Sequence, residues 1–127
     1  MEQQVEVFAA LYMAVMGLSH IIQPQAWVEF FIWLRGKGRA GVFVNGFLCL
    51  SFGAFIVAFH NVWSGLPMIL TLLGWSQVLK GLLSFLAPQI GMRTLARVSP
   101  ERSREFVAAG AVLLVVSALL WASVLTS

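Results

Sequence analysis

The chain has 127 residues, 60% hydrophobic and only 10% charged, with a net charge of +3 and no Asp. Water-soluble domains carry about 25% charged residues, so this composition excludes an ordinary soluble globule and points to a membrane. Seven of the eight basic residues sit in two short segments between apolar runs, so the positive charge is directed at a lipid surface and not at nucleic acid.

The first apolar run, 5–22, is long enough to cross a hydrocarbon core of ~30 Å at ~1.5 Å per residue. It follows an acidic start, Glu2 and Glu6, where a secretory signal peptide is basic. No small-x-small cleavage site follows it, so this span is expected to remain in the protein. Ser19 and His20 lie just before Pro24, which stops the run.

The connector after Pro24 is not a plain loop. Trp27, Phe30, Phe31 and Leu34 fall at the i, i+3, i+4, i+7 spacing of one helix face. A helix too short to span and too apolar for water belongs in the interface, with Trp27, Phe30, Phe31 and Trp33 as anchors at headgroup depth. Arg35, Lys37 and Arg39 close this segment.

The second span, 41–59, carries Gly41, Asn45, Cys49 and Gly53 at intervals of four. Such a seam lets two helices approach closely, either within one chain or between copies, and Asn45 can hydrogen-bond across it. Cys49, the single cysteine, rules out a disulfide within the chain. The outer turn that follows, His60 to Gly65, has no basic residue. His60 and Asn61 read there as helix-end residues.

The third span, 66–87, contains Lys80, eight residues before Pro88 and so ~12 Å from the end of the run. A central Lys carries an insertion penalty of ~2.5–3.5 kcal/mol. One explanation is snorkelling toward the headgroups; the other is a substrate, ion or partner site. Ser76, Lys80 and Ser84 share one stripe, bordered by Gln77. Antiparallel helices would bring Ser19, His20, Asn45, Ser84 and Lys80 to one depth, with Glu105 placed to pair with Lys80. A polar intramembrane cluster of Lys80, Gln77, Ser76, Ser84, His20, Ser19, Asn45 and Glu105 is therefore expected between the helices.

The second connector, 89–104, holds Arg93, Arg97, Arg102 and Arg104 and a helix start at Ser99-Pro100-Glu101. The fourth span covers 105–125. The two basic segments place Arg35, Lys37, Arg39, Arg93, Arg97, Arg102 and Arg104 on anionic lipid at the cytoplasmic side, with both termini outside. A shift of 64 residues aligns Gly17 with Gly81, Pro24 with Pro88 and Gly46 with Gly110, so the halves 1–64 and 65–127 read as a parallel repeat.

These features predict an all-α integral membrane protein: one domain, a four-helix bundle of two repeated hairpins, with short interfacial helices on the cytoplasmic side. A bacterial inner membrane is the expected location. His20 and His60 lie near opposite faces, so no metal or haem site is expected, and no cofactor is called for. No nucleophile with a base and no phosphate loop stands out, so an enzyme is not expected. Gly41-Val42-Phe43-Val44-Asn45 is similar to the Gly-x-x-x-Asn of fluoride channels. The third span, reading Leu72-Leu73-Gly74-Trp75-Ser76-Gln77, lacks the polar stretch that those channels carry there. Small multidrug-resistance pumps are built on an acidic residue in mid-span one, which is absent here. The expected role is an accessory or scaffold subunit with a membrane-protein partner or as a homo-oligomer. The rival is an oligomeric channel or carrier for an anion or small polar solute through Lys80.

Overall fold

A computed structural model of the protein describes residues 2–126. It is helical, with no strand among those residues: α1 (Glu2–Ile22), α2 (Pro24–Gly36), α3 (Arg39–Phe59), α4 (Met68–Leu86), α5 (Pro88–Ala96), a 3-10 turn (Pro100–Arg102) and α6 (Ser103–Thr126). Four helical stretches, Glu2–Ile22, Arg39–Phe59, Met68–Leu86 and Pro100–Thr126, are long and apolar enough to cross a membrane. They match the four expected spans.

Local sequence explains the breaks. A residue before proline is driven out of the helical region, and Gln23 (φ −125°, ψ 53°) and Ala87 (φ −138°, ψ 66°) both sit outside it. Each is followed by proline at the first position of a new helix, where the missing N–H costs nothing. Gly38, at φ +62°, turns the chain from α2 into α3 through the left-handed region that favours glycine. Ser99 stands at the expected start of the last helical stretch, but its hydroxyl makes no capping bond, and the stretch opens as the 3-10 turn.

The long helices pack as two pairs, α1 with α6 and α3 with α4. Glycine decides how close they come. A Cβ on Gly17 would lie 2.8 Å from the Gly110 carbonyl oxygen, and one on Gly110 would lie 2.6 Å from that of Gly17. In the other pair, a Cβ on Gly81 would lie 3.0 Å from the Gly46 carbonyl oxygen. Seven residues further, Gly53 meets Gly74, while Ser117 donates to the Ala10 carbonyl at 2.7 Å. Both pairs are therefore antiparallel in one register, and contacts in one map onto the other at the shift of 64. The pairs are also crossed: each takes one long helix from each half of the chain.

The seam expected at Gly41, Asn45, Cys49 and Gly53 is corrected in part. The close helix contacts are at Gly46 and Gly53, seven apart; Gly41 instead lies against the Leu34 backbone of α2. Cys49 is buried, and Asn45 borders a cleft. The physical reason is the antiparallel register: seven residues bring small side chains back to the same seam, whereas four drift around the helix.

The two pairs meet at the end that carries the chain termini. Val5, Ala9, Ala10 and Met13 of α1 join Ile56, Leu70 and Leu120 in one core, none more than 2% exposed. At the other end, called the basic end below, α2 and α5 lie between the pairs. Leu34, Val42 and Leu95 form a second small core there, with Phe30 and Phe31 against it.

Candidate functional site

Three polar features stand out, one at the terminal end and two at the basic end. At the terminal end, His60 ends α3, Thr71 lies in the first turn of α4, and Glu6 faces them from α1. His60 Nε2 is 3.1 Å from Glu6 Oε2, and Thr71 Oγ1 is 3.0 Å from His60 Nδ1. The Val62 N–H donates to Thr71 Oγ1 at 3.1 Å. His60 and Thr71 are 0% exposed and Glu6 is 6% exposed.

The bonding order follows from the donors. A carboxylate only accepts, so Nε2 carries the proton toward Glu6; in that neutral tautomer Nδ1 is the acceptor, and Thr71 donates to it. His60 Nε2–H then donates to the Glu6 carboxylate. This hydroxyl–imidazole–carboxylate chain has the group order of a hydrolytic triad. Its hydroxyl, however, is wholly buried and already accepts a backbone N–H, and neither cleft described below includes any of the three residues. The arrangement is a clasp between the two helix pairs. Among the described residues no third His, Cys, Asp or Glu joins them to complete a metal ligand set.

His60 is thus a helix-end residue, as expected, but not an exposed one: it is among the most buried polar groups of the described residues. The clasp falls where the repeat is broken. At the shift of 64, Glu6 corresponds to Leu70 and His60 to Val124, so the other pair has an apolar contact in its place.

At the basic end, a cleft of about 220 Å³ opens between α3, α4 and α5. Lys80, Asn45, Ser76 and Ser84 border it, with Leu79, Leu83 and Ile90 among its apolar walls. Ser84 donates to the Lys80 carbonyl at 2.9 Å and Ser76 to that of Leu73 at 2.7 Å, so both hydroxyls are satisfied within α4. The Lys80 ammonium and the Asn45 amide have no hydrogen-bond partner among the described residues. Gln77 lies away from this opening and packs toward Gly53.

A second cleft, about 280 Å³, lies between α1, α2, α5 and α6, with His20, Phe31, Arg97, Arg102, Glu105 and Phe106 on its walls. The His20 ring stacks on Trp27 with centroids 4.2 Å apart, and Trp27 Nε1 donates to Ser19 Oγ at 2.9 Å. The eight residues expected to form one polar cluster are therefore divided. Lys80, Ser76, Ser84 and Asn45 share the α3–α4–α5 cleft, whereas His20, Ser19 and Glu105 belong to the α1–α6 pair. Glu105 faces Arg97 at 3.8 Å, not Lys80, and both side chains are more than half exposed. The register of the pairs is the reason, since it couples α4 to α3 and α6 to α1.

The anchors Trp27, Phe30 and Phe31 form one aromatic group with Phe106. Trp33 is exposed and lies under the Lys37 ammonium, 5.3 Å from the ring centre. Arg35 is exposed but bonds to the protein itself: its Nη1 donates to the Val98 carbonyl at 2.7 Å, beyond the end of α5. Lys37, Arg39, Arg93, Arg97, Arg102 and Arg104 are exposed at the basic end.

No family model, curated protein or solved structure matches this chain.

Proposed function

We propose that this protein is a small non-catalytic integral membrane protein acting as an accessory or scaffold subunit of a larger membrane assembly. The observation that carries the reading is where the openings are. Both clefts lie at the basic end, while the terminal half is filled by the apolar core of Val5, Ala9, Ala10, Met13, Ile56, Leu70 and Leu120. A solute path needs polar lining on both sides of the bilayer. Here the terminal half offers a closed core and a clasp whose groups bond one another. Carriage of an anion or polar solute draws support only from the free Lys80 ammonium.

In this reading the four long helices cross a membrane as a bundle, in a bacterial inner membrane, with the basic end in the cytoplasm and the termini outside. The exposed cations of α5 and of the turns meet anionic lipid. The matching contacts at a shift of 64 support an origin in duplication of a two-span unit. The test is gentle extraction of the native protein and identification of what remains bound, together with solute flux in vesicles reconstituted with the purified chain. A stoichiometric membrane-protein complex with no flux is the expected result. Flux that Lys80→Met abolishes would replace this reading with the carrier.

A further inference from the structure

We propose that the cleft between α3, α4 and α5 is a binding site for one anionic phospholipid. Lys80 and Asn45 hold its phosphate, and an acyl chain lies along Leu79, Leu83 and Ile90. The proposal rests on the reading that the long helices cross a bilayer, and it names a ligand that the accessory role does not require.

The first argument is the state of the donors. In an apolar setting a polar group without a partner is costly, and a cation more so. Around this cleft the hydroxyls of Ser76, Ser84 and Thr94 donate to carbonyls of their own helices, and Glu105, the acid expected to pair with Lys80, faces Arg97. What remains is an ammonium and an amide on facing helices, bordering the same opening. Their missing complement is an anionic group with several acceptor oxygens, which a phosphodiester provides.

The second argument comes from the corresponding place in the other pair. There the residues 64 positions away are Met16, Ala109 and Trp27, opposite Lys80, Asn45 and Gly91. Trp27 lies over His20 with its ring flat on the imidazole and its N–H satisfied by Ser19. That copy has Met16 and Ala109 in the places of the ammonium and the amide, and the space beside Ala109 is open there too, as the second cleft. The α3–α4–α5 copy has no side chain at Gly91 and carries both donors. The repeat therefore carries this pair of donors in one of its two copies.

The third argument is direction. A Cα–Cβ bond leans toward the start of its helix, and α4 starts at the terminal end. Lys80 therefore leaves its helix pointing away from the basic end, with Ile90, Gly91 and Thr94 of α5 bordering the cleft on the basic side. Lys80 is exposed at the border of the cleft, so a lipid phosphate drawn to that border meets the ammonium, while the walls are apolar enough for the chain attached to it.

The test uses the purified full-length protein, delipidated in a neutral detergent and titrated by native mass spectrometry with dioleoylphosphatidylglycerol. One lipid per chain is expected, held more tightly than dioleoylphosphatidylcholine. A hydrogen bond to a charged group is strong enough that Lys80→Met should weaken the phosphatidylglycerol complex roughly 10- to 100-fold. Lys80→Arg should retain binding, and Gln4→Met, exposed at the terminal end, should leave it unchanged. Should Lys80→Met lose its helical circular dichroism, Asn45→Leu carries the same test with a smaller expected loss. Four results would overturn the proposal: unchanged affinity in a folded Lys80→Met; equal binding of phosphatidylcholine; saturation by inorganic phosphate alone, which would mark a free-anion site; or a dimer in which a carboxylate of the second copy occupies Lys80. Lipid retention and co-purification of partner proteins are separate measurements, so failure of one reading leaves the other standing on its own data.

Discussion

Glu6 and His60 lie 54 residues apart in the chain, yet their side chains meet at 3.1 Å in a buried site. The contact joins α1 to the end of α3, and so joins one helix pair to the other. Removing one partner strands the second, which costs about 1–3 kcal/mol for a buried polar group. Glu6→Leu and His60→Val should each destabilise by about that amount. The double substitution, which copies Leu70 and Val124, should recover much of the loss, because apolar replacement of both partners is far cheaper than breaking the pair. Thr71 can then turn its hydroxyl to a carbonyl of its own helix. A double-mutant cycle on unfolding in detergent measures this, and a coupling below about 0.5 kcal/mol would show that the clasp holds nothing.

The Gly17–Gly110 contact yields a second expectation. An added methyl at either position meets a backbone oxygen, at 2.8 and 2.6 Å, and backbone has no rotamer to escape into. Gly17→Ala and Gly110→Ala should each cost about 1–3 kcal/mol by forcing α1 and α6 apart. Gly36→Ala has open space around it and should be neutral or slightly stabilising. Thermal midpoints of the three variants, side by side, decide it.

Phe30 and Phe31 tie α2 to the rest of the basic end, with Phe31 5.6 Å from Phe106 between ring centres. Replacing both by Ser removes apolar contact area at ~25 cal/mol per Å². Thermal stability in lipid should fall while the helix content by circular dichroism stays. An unaltered melting curve would mean that α2 is not an anchor.

Orientation is tested by cysteine labelling with Cys49 replaced by Ala. Gln3→Cys should react with an impermeant reagent added to intact cells, and Lys37→Cys only after the membrane is opened. Reaction of position 37 from outside would reverse the proposed topology.

What the sequence made legible was governed by local physics. Runs of apolar residues, the prolines at 24 and 88 and the spacing of Trp27, Phe30, Phe31 and Leu34 each report on their own neighbourhood, and the helices follow them closely. The pairing of helices is non-local. Glu6 reads as part of an acidic start and His60 as a helix end, because each finds its partner across the fold. Lys80 was conspicuous, but assigning Glu105 to it required knowing which helix lies beside α4. The small-residue seam was misplaced by one residue at Gly46 for the same reason, since Gly41, Asn45, Cys49 and Gly53 are regular along one helix without facing one partner.

The crossed pairing has a consequence for synthesis. Helices α3 and α4 follow one another closely and can join as soon as both have left the ribosome. Helix α1 must wait for α6, with residues 23–102 made in between. At about 5–20 residues per second that interval is on the order of ten seconds. Throughout it, the first helix lacks its closest neighbour, and its glycine face is uncovered. A chain released before residue 110 would therefore carry a finished hairpin and a stranded helix, and quality-control proteases would meet the defect at the amino-terminal end of the molecule, not at the cut.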